Sequence, residues 1–266
     1  MKYIFVLVFL LTSMYGSVLK STILSVDEEQ TTATIKVDKI EIGMSGFIVH
    51  EFTDEHTSIL RNAIVNSYDE NTKIAVLKLS DYDDLKHSAL PHGKWSVKAG
   101  DKAILAFGYS RALLVAPNED IYNKITKNAN TVQWIHPDIF ATILSISGHP
   151  TPVEEDFKKM SISANVGLFF FYLEKKLYTL DARSFKILNI SEISLEQKSI
   201  KLPFYSRIDK INEAWFGKGS DELEDYEPYY FSLMVKHNPK NKTLFEIIKN
   251  SDKKLHDLLN EFEIED

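Results

Sequence analysis

The stretch Thr32-Ala-Thr-Ile-Lys-Val37 decides how the N-terminal half is read. Apolar and polar side chains partly alternate along it, and with its β-branched residues this is the period of a half-buried strand, not of a helix. Working outward from it, β-type runs are expected near residues 18–26, 46–52, 58–65, 73–79, 102–107 and 111–116. Asp27-Glu-Glu, Asp69-Glu-Asn and Gly108-Tyr-Ser supply turns. Strands recurring about every ten residues between turn clusters are the pattern of an all-β barrel or small sandwich. Closing the sheet removes its exposed edges, so residues 17–117 are read as a small β-barrel-like domain.

After Pro117 the period lengthens. Residues 118–127 place Ile121, Tyr122 and Ile125 on one helical face, and His136-Pro-Asp138 sets proline at a helix start, followed by Ile139, Phe140, Ile143 and Leu144. Gly148 and Pro150 end that helix, and Thr151-Pro-Val-Glu154 is a capping box for the next. Residues 166–173 and 176–181 read as a buried strand and its hairpin partner, with 185–190 as a third. The run Phe169-Phe-Phe-Tyr172 is too short to span a membrane and suits a strand buried on both faces. Ser206-Arg-Ile-Asp209 is expected to cap a short helix through Trp215 and Phe216 that Gly217 terminates. Residues 118–216 thus form an α+β domain. In residues 217–266, Asp221, Glu222, Glu224, Asp225 and Glu227 read as an acidic linker and 229–235 as a short strand. Thr243-Leu-Phe-Glu246 then opens a C-terminal amphipathic helix whose apolar face runs from Leu244 to Phe262. The fold class is α+β: a small barrel, an α+β domain and a terminal helix.

The start of the chain carries an address. After Lys2 the run Tyr3 to Leu11 is uncharged and almost wholly apolar, and Thr12 to Ser17 are smaller and more polar. A secretory signal peptide has an apolar core of about 7 to 15 residues, whereas a spanning helix needs about 20. Residues 1–16 are therefore read as a signal peptide, and the mature product as exported to the periplasm or cell surface without a permanent span.

Composition excludes much chemistry. The chain of 266 residues has no cysteine, which removes thiol catalysis, disulfide frameworks, cysteine zinc sites and iron–sulfur clusters. Its formal charge of −7 and lack of a basic stripe argue against nucleic-acid binding. His50 and His56 are six apart on a β-type run, not one helical turn apart as a zinc-protease motif requires. His87 and His92 flank Pro91 in a loop, two ligands at most, and His136 and His149 read as helix-start and turn residues. Asp81-Tyr-Asp-Asp84 lacks the central glycine and distal glutamate of a calcium loop. Gly43-Met-Ser-Gly46 is not a nucleophile elbow, and neither a P-loop nor a dinucleotide fingerprint is present. The residues thus assign no catalytic, metal or cofactor site, and the chain is read as non-enzymatic.

Several strings resemble one family. Val37-Asp-Lys-Ile-Glu-Ile-Gly-Met-Ser-Gly-Phe-Ile-Val-His-Glu-Phe52, Asp84-Leu-Lys-His-Ser-Ala-Leu-Pro91, Arg111-Ala-Leu-Leu-Val-Ala-Pro117 and Trp134-Ile-His-Pro-Asp-Ile-Phe-Ala141 are similar to the N-terminal domain of plasminogen-binding surface proteins (PgbA type) of epsilon-class proteobacteria. So, in the same order, are Val166-Gly-Leu-Phe-Phe-Phe171, Leu180-Asp-Ala-Arg-Ser-Phe-Lys-Ile-Leu188 and Leu202-Pro-Phe-Tyr-Ser-Arg207, so the resemblance covers roughly residues 17–216. It implies an exported protein with host plasminogen, or another envelope protein, as partner, and it brings no catalytic residue. The alternative it leaves open is a structural periplasmic assembly component that does not bind plasminogen. Kringle modules hold a cation and a carboxylate together. The chain ends Glu263-Ile-Glu-Asp266, so the expected contact is internal: Lys253 or Lys254 with Asp257, four and three residues apart on one helical face. Intact-mass measurement of the native protein is expected to place the mature N-terminus near Ser17; a cytoplasmic protein retaining Met1 would refute export.

Overall fold

The computed structural model describes residues 18–53, 55–82 and 95–264. Six antiparallel strands close a barrel: β1 (Leu19–Val26), β2 (Thr32–Lys36), β3 (Ser45–Thr53), β4 (His56–Asp69), β5 (Ile74–Asp81) and β6 (Lys102–Leu105), in the order β1-β2-β5-β4-β3-β6. The alternation read in residues 32–37 is realised here. Ala33 and Ile35 point inward at 1% and 0% exposure, while Thr32, Thr34 and Lys36 face out. The interior is filled by alanines and branched aliphatics such as Ile23, Ile48, Ala63, Val65, Ala75, Leu77 and Ala103, which suits a barrel of this girth. Gly46 permits closure, because a Cβ there would lie 2.1 Å from the carbonyl oxygen of Ile104 on β6.

The seventh expected strand, β7 (Arg111–Val115), leaves the barrel, so the barrel strands end at β6 and not near residue 117. It lies inside a second sheet with β8 (Gln133–Ile135), β9 (Leu168–Leu173), β10 (Lys176–Asp181) and β11 (Ile187–Glu192), in the order β11-β10-β9-β7-β8. Strands β8, β7 and β9 run parallel, and β9, β10 and β11 antiparallel. The reason lies in composition. Ala112 to Ala116 is an uninterrupted apolar run with every residue buried, and such a run suits a strand covered on both faces.

Three layers result. Ala112, Leu114, Leu168, Phe170 and Tyr172 share one apolar core with the barrel interior. Leu113, Val115, Phe169, Phe171, Tyr178 and Leu180 share the other with the helices. These are α1 (Glu119–Asn128), α2 (Pro137–Ser147), α3 (Glu154–Ser163), α4 (Tyr226–His237) and α5 (Lys242–Lys249), followed by a 3-10 segment, Lys253–Glu261. Of these, α2 to α5 and the 3-10 segment contribute to the second core, whereas Ile121, Tyr122 and Ile125 of α1 join the first. The aromatic run of β9 therefore serves both cores, as a doubly buried strand must.

Four local expectations need correction. Residues 229–235 are not a strand but the body of α4: Pro228 sits in its first turn, and Tyr226, Tyr230 and Met234 fall on one buried face at helical spacing. Residues 206–216 form no helix, since Arg207 is drawn to Asp138 by its backbone N–H and its Nε, both at 2.7 Å. Helix α3 starts two residues later than its apparent capping box. The Thr151 hydroxyl is already donated to the Asp221 carbonyl, and the Asp156 carboxylate accepts the Val153 N–H at 2.9 Å instead. The C-terminal helix is two pieces: Asn241, not Thr243, caps α5, and after Asn250 and Ser251 a separate 3-10 segment starts under the Asp252 carboxylate.

Phe170, with its ring at the barrel side of β9, is almost fully buried beside Trp134, whose ring centroid is 5.0 Å away. Phe170→Ala is expected to cost about 3 to 5 kcal/mol, read from urea unfolding; an unchanged midpoint would contradict the doubly buried strand.

Candidate functional site

The C-terminal segment holds the residues singled out by sequence. Leu255 is fully buried and ties the 3-10 segment to the core of the helical layer, while Lys253, Lys254 and Asp257 are exposed. In a 3-10 helix residues three apart eclipse one another. Lys254 and Asp257 therefore share a face, whereas Lys253 and Asp257, four apart, do not. Lys254 Nζ stands 3.3 Å from Asp225 Oδ2 and 3.9 Å from Glu227 Oε2, so its charge is directed at the start of α4. Among the described residues Lys253 and Asp257 have no ion-pair partner within 4.0 Å.

The group Lys254 covers is electrostatically unusual. Glu227 is largely buried, its Oε1 accepts the Glu174 N–H at 3.3 Å, and the carboxylate of Glu174, in the β9–β10 turn, is its neighbour. Burial first, and the Glu174 charge second, hold the Glu227 carboxyl above its ordinary value, with Lys254 opposing them. Sequence reading placed Glu227 in a solvated linker. Its signal was position, since it lies in the first turn of a helix whose flanking Tyr226 is fully buried.

A second feature is a cleft of about 400 Å³ between the barrel wall and α3, reaching Asn62 on β4, Glu154 on α3 and His237 at the end of α4. Glu154 pairs with Lys236 and lies 3.5 Å from His237 Nε2, and these contacts hold its carboxyl below the ordinary range. Burial pulls the His237 imidazole below its usual value. Asn62 Oδ1 and His237 Nε2 are both buried without a hydrogen-bond partner among the described residues.

The histidines and acids weighed from sequence take local roles. His50 is held by the buried Asp101 at 2.6 Å, and His149 by the buried Asp156 at 2.8 Å. His136 caps α2, its Nδ1 accepting the Asp138 N–H at 3.2 Å. His87, His92, Asp83 and Asp84 lie outside the described residues.

The buried carboxylate of Asp181 escaped notice at the sequence level. Its Oδ2 accepts the Ser45 N–H at 2.9 Å, the Ser45 hydroxyl at 2.7 Å and the Tyr109 hydroxyl at 2.6 Å. Its Oδ1 accepts the Arg183 and Ser184 N–H groups at 2.9 and 2.7 Å. Beside it the Ser184 hydroxyl donates to the Gly43 carbonyl at 2.7 Å. Five donors on one carboxylate fix the barrel against the β10–β11 turn.

These features define an α+β module in which a closed barrel is docked on a doubly covered sheet and the outer helical layer carries the candidate contact residues. The chain belongs to the family described as "Plasminogen-binding protein pgbA N-terminal", whose profile matches residues 18–234. It is similar to the plasminogen-binding protein PgbA of Helicobacter pylori strains J99 and 26695, at 26% identity over 204 residues in each case. That alignment covers 76% of this chain and 44% of each relative, so the match spans less than half of the relatives' length. No solved structure matches.

The raised Glu227 carboxyl has a signed consequence. A group whose folded value lies above its unfolded one contributes stability that is complete below the ordinary glutamate range and is lost as pH rises through the folded value. Glu227→Gln mimics the protonated form, so its melting temperature should exceed the parent's at pH 8 and converge with it towards pH 4. Parallel melting curves across that range would show that another group is responsible.

Proposed function

We propose that this chain is an exported, non-enzymatic binding protein of the bacterial envelope or surface, with plasminogen as its partner. The observation that carries the reading is family membership across residues 18–234, together with the names of the two relatives. Export rests on the apolar run behind Lys2. Among the described residues no helix is long and apolar enough to cross a membrane.

The proposed contact is the exposed 3-10 segment. Lys254 and Asp257 there offer a cation and a carboxylate one turn apart, with Lys253 alongside. Reaching Lys254 requires a partner to replace Asp225, an exposed charge contact worth only about 0 to 1 kcal/mol, and to draw Lys254 away from the largely buried Glu227, 3.9 Å distant. The engagement of Lys254 also favours the second reading, a periplasmic assembly component whose lysines serve internal packing. Protease accessibility on intact cells separates surface from periplasm.

Purified protein is expected to bind immobilised plasminogen saturably, to be displaced by a free lysine analogue, and to lose binding when Lys253 and Lys254 are both replaced by alanine. Binding that survives the double substitution would move the site elsewhere, and absence of saturable binding would leave the assembly reading.

A further inference from the structure

Helix α2 is apolar on more sides than the protein covers. Its core face, Phe140, Ala141 and Leu144, is fully buried in the helical layer. Its second flank is lined by residues 207–214, through Arg207 on Asp138, the Asn212 N–H on Ser145 Oγ at 3.3 Å and the Ala214 N–H on the Gly148 carbonyl at 2.9 Å. On the remaining side stand Ile139, Ile143 and Ile146, spaced four and three apart, which is the seam spacing of paired helices. Ile139 is 48% exposed, Ile143 is half-buried and Ile146 is 82% exposed.

The segment that lines the flank ends in Trp215 and Phe216, exposed by 94% and 82%. Both are anchored from behind. Gly148, left-handed at φ 73°, leaves no room for a Cβ against Ala214, and on the far side the Thr151 N–H donates to the Gly219 carbonyl at 3.2 Å. The two rings therefore stand on a loop pinned to the C-terminal end of α2. Isoleucines and rings exposed to this degree, on a helix and on a fixed loop, lack the cover that such an apolar surface implies.

We propose that this face is covered by a second copy of the chain, α2 packing antiparallel on the partner's α2 about a two-fold axis near Ile143. The stripe is nearly symmetric about that residue, so the axis brings Ile139 opposite the partner's Ile146 and carries the partner's Trp215 and Phe216 over the N-terminal end of α2. That end presents Arg207, 70% exposed at its side chain with its Nε held by Asp138 at 2.7 Å, to a ring face of the other copy. The antiparallel arrangement also sets each helix N-terminus beside the partner's C-terminus. Taking about 150 to 250 Å² for each aromatic side chain, the two rings and three isoleucines offer on the order of 600 Å² per copy. The pair then buries roughly 1,200 Å², the lower bound of specific interfaces. An anionic lipid surface is the less suited cover, because the same rim carries Asp209, Glu213, Asp221 and Glu222 against Arg207, Lys210 and Lys218.

Sedimentation equilibrium of the purified protein is expected to give a concentration-dependent dimer. Ile146→Asp and Trp215→Ser should each weaken it roughly tenfold or more while leaving the melting temperature of the monomer unchanged. Because the chain has no cysteine, Ile143→Cys should form a disulfide-linked dimer across the axis under mild oxidation, and Ser25→Cys on the barrel should not. The proposal is overturned by a monomer up to high micromolar concentration, or by a dimer that both surface substitutions leave intact. A monomer that floats with phosphatidylethanolamine–phosphatidylglycerol vesicles in a Trp215-dependent way would equally overturn it, making the cover a membrane.

Discussion

Asp181 is the constraint on which the rest of the architecture depends. Removing a carboxylate from water costs several kcal/mol even after relaxation, and this one is fully buried between the barrel and the second sheet. Only a complete set of donors offsets that cost, and Ser45, Tyr109, Arg183 and Ser184 supply five. Charge-assisted bonds contribute about 1.5 to 3 kcal/mol each when well aligned, and their geometry admits one docking of barrel on sheet. Two of the strings that carry the family resemblance, residues 37–52 and 180–188, meet at this carboxylate. Their similarity follows from structure, since each supplies one half of a buried polar junction.

With the barrel fixed in place, the second sheet loses its last free face. A strand between two apolar layers must be apolar wherever it is covered, and β9 is so throughout and β7 from Ala112 to Val115. The sheet therefore transmits position rigidly. Phe169 and Phe171 set the helical layer while Phe170, between them, sets the barrel. The aromatic network around Phe157, Phe140 and Phe204, with centroid spacings of 4.7 and 5.2 Å, then seats α2 and α3 over that sheet.

How much of this was legible follows from what each signal encodes. Strand alternation around Thr34 and the capping of α2 by His136-Pro137 are local, and the structure keeps both. The sorting of β7 runs against its spacing, which matches that of the barrel strands, and follows its continuous apolarity from Ala112 to Val115. The strand expected at residues 229–235 was misread because aromatic and β-branched residues favour strands only where sheet neighbours exist, and here Pro228 and the Tyr226/Tyr230 spacing prevail. The C-terminal lysines were found as residues but not as contacts. Nothing local to residues 253–257 announces that Asp225 and Glu227, nearly thirty positions earlier, turn towards Lys254. Asp181 is illegible for the same reason, since Ser45 and Tyr109, the partners that tie it to other parts of the chain, lie 136 and 72 residues away.

The layering also decides where recognition can occur. A closed barrel has no edge to lend to an extended ligand. In the second sheet, the β11 edge is partly closed by Asn238, whose Oδ1 accepts the Ile187 N–H at 3.0 Å. Backbone pairing at that edge is thus a poor route to a partner, and the side chains of the helical layer offer another. That layer carries two kinds of surface. At one end the 3-10 segment offers charges already in loose exchange with acidic neighbours, suited to a reversible, salt-sensitive contact. At the other, α2 and the Trp215 loop offer fixed apolar area, which gains nothing from exchange and is stabilised only by being covered. Both follow from the same construction, because the central strands β7 and β9 beneath the helices are too fully buried to contribute a surface of their own.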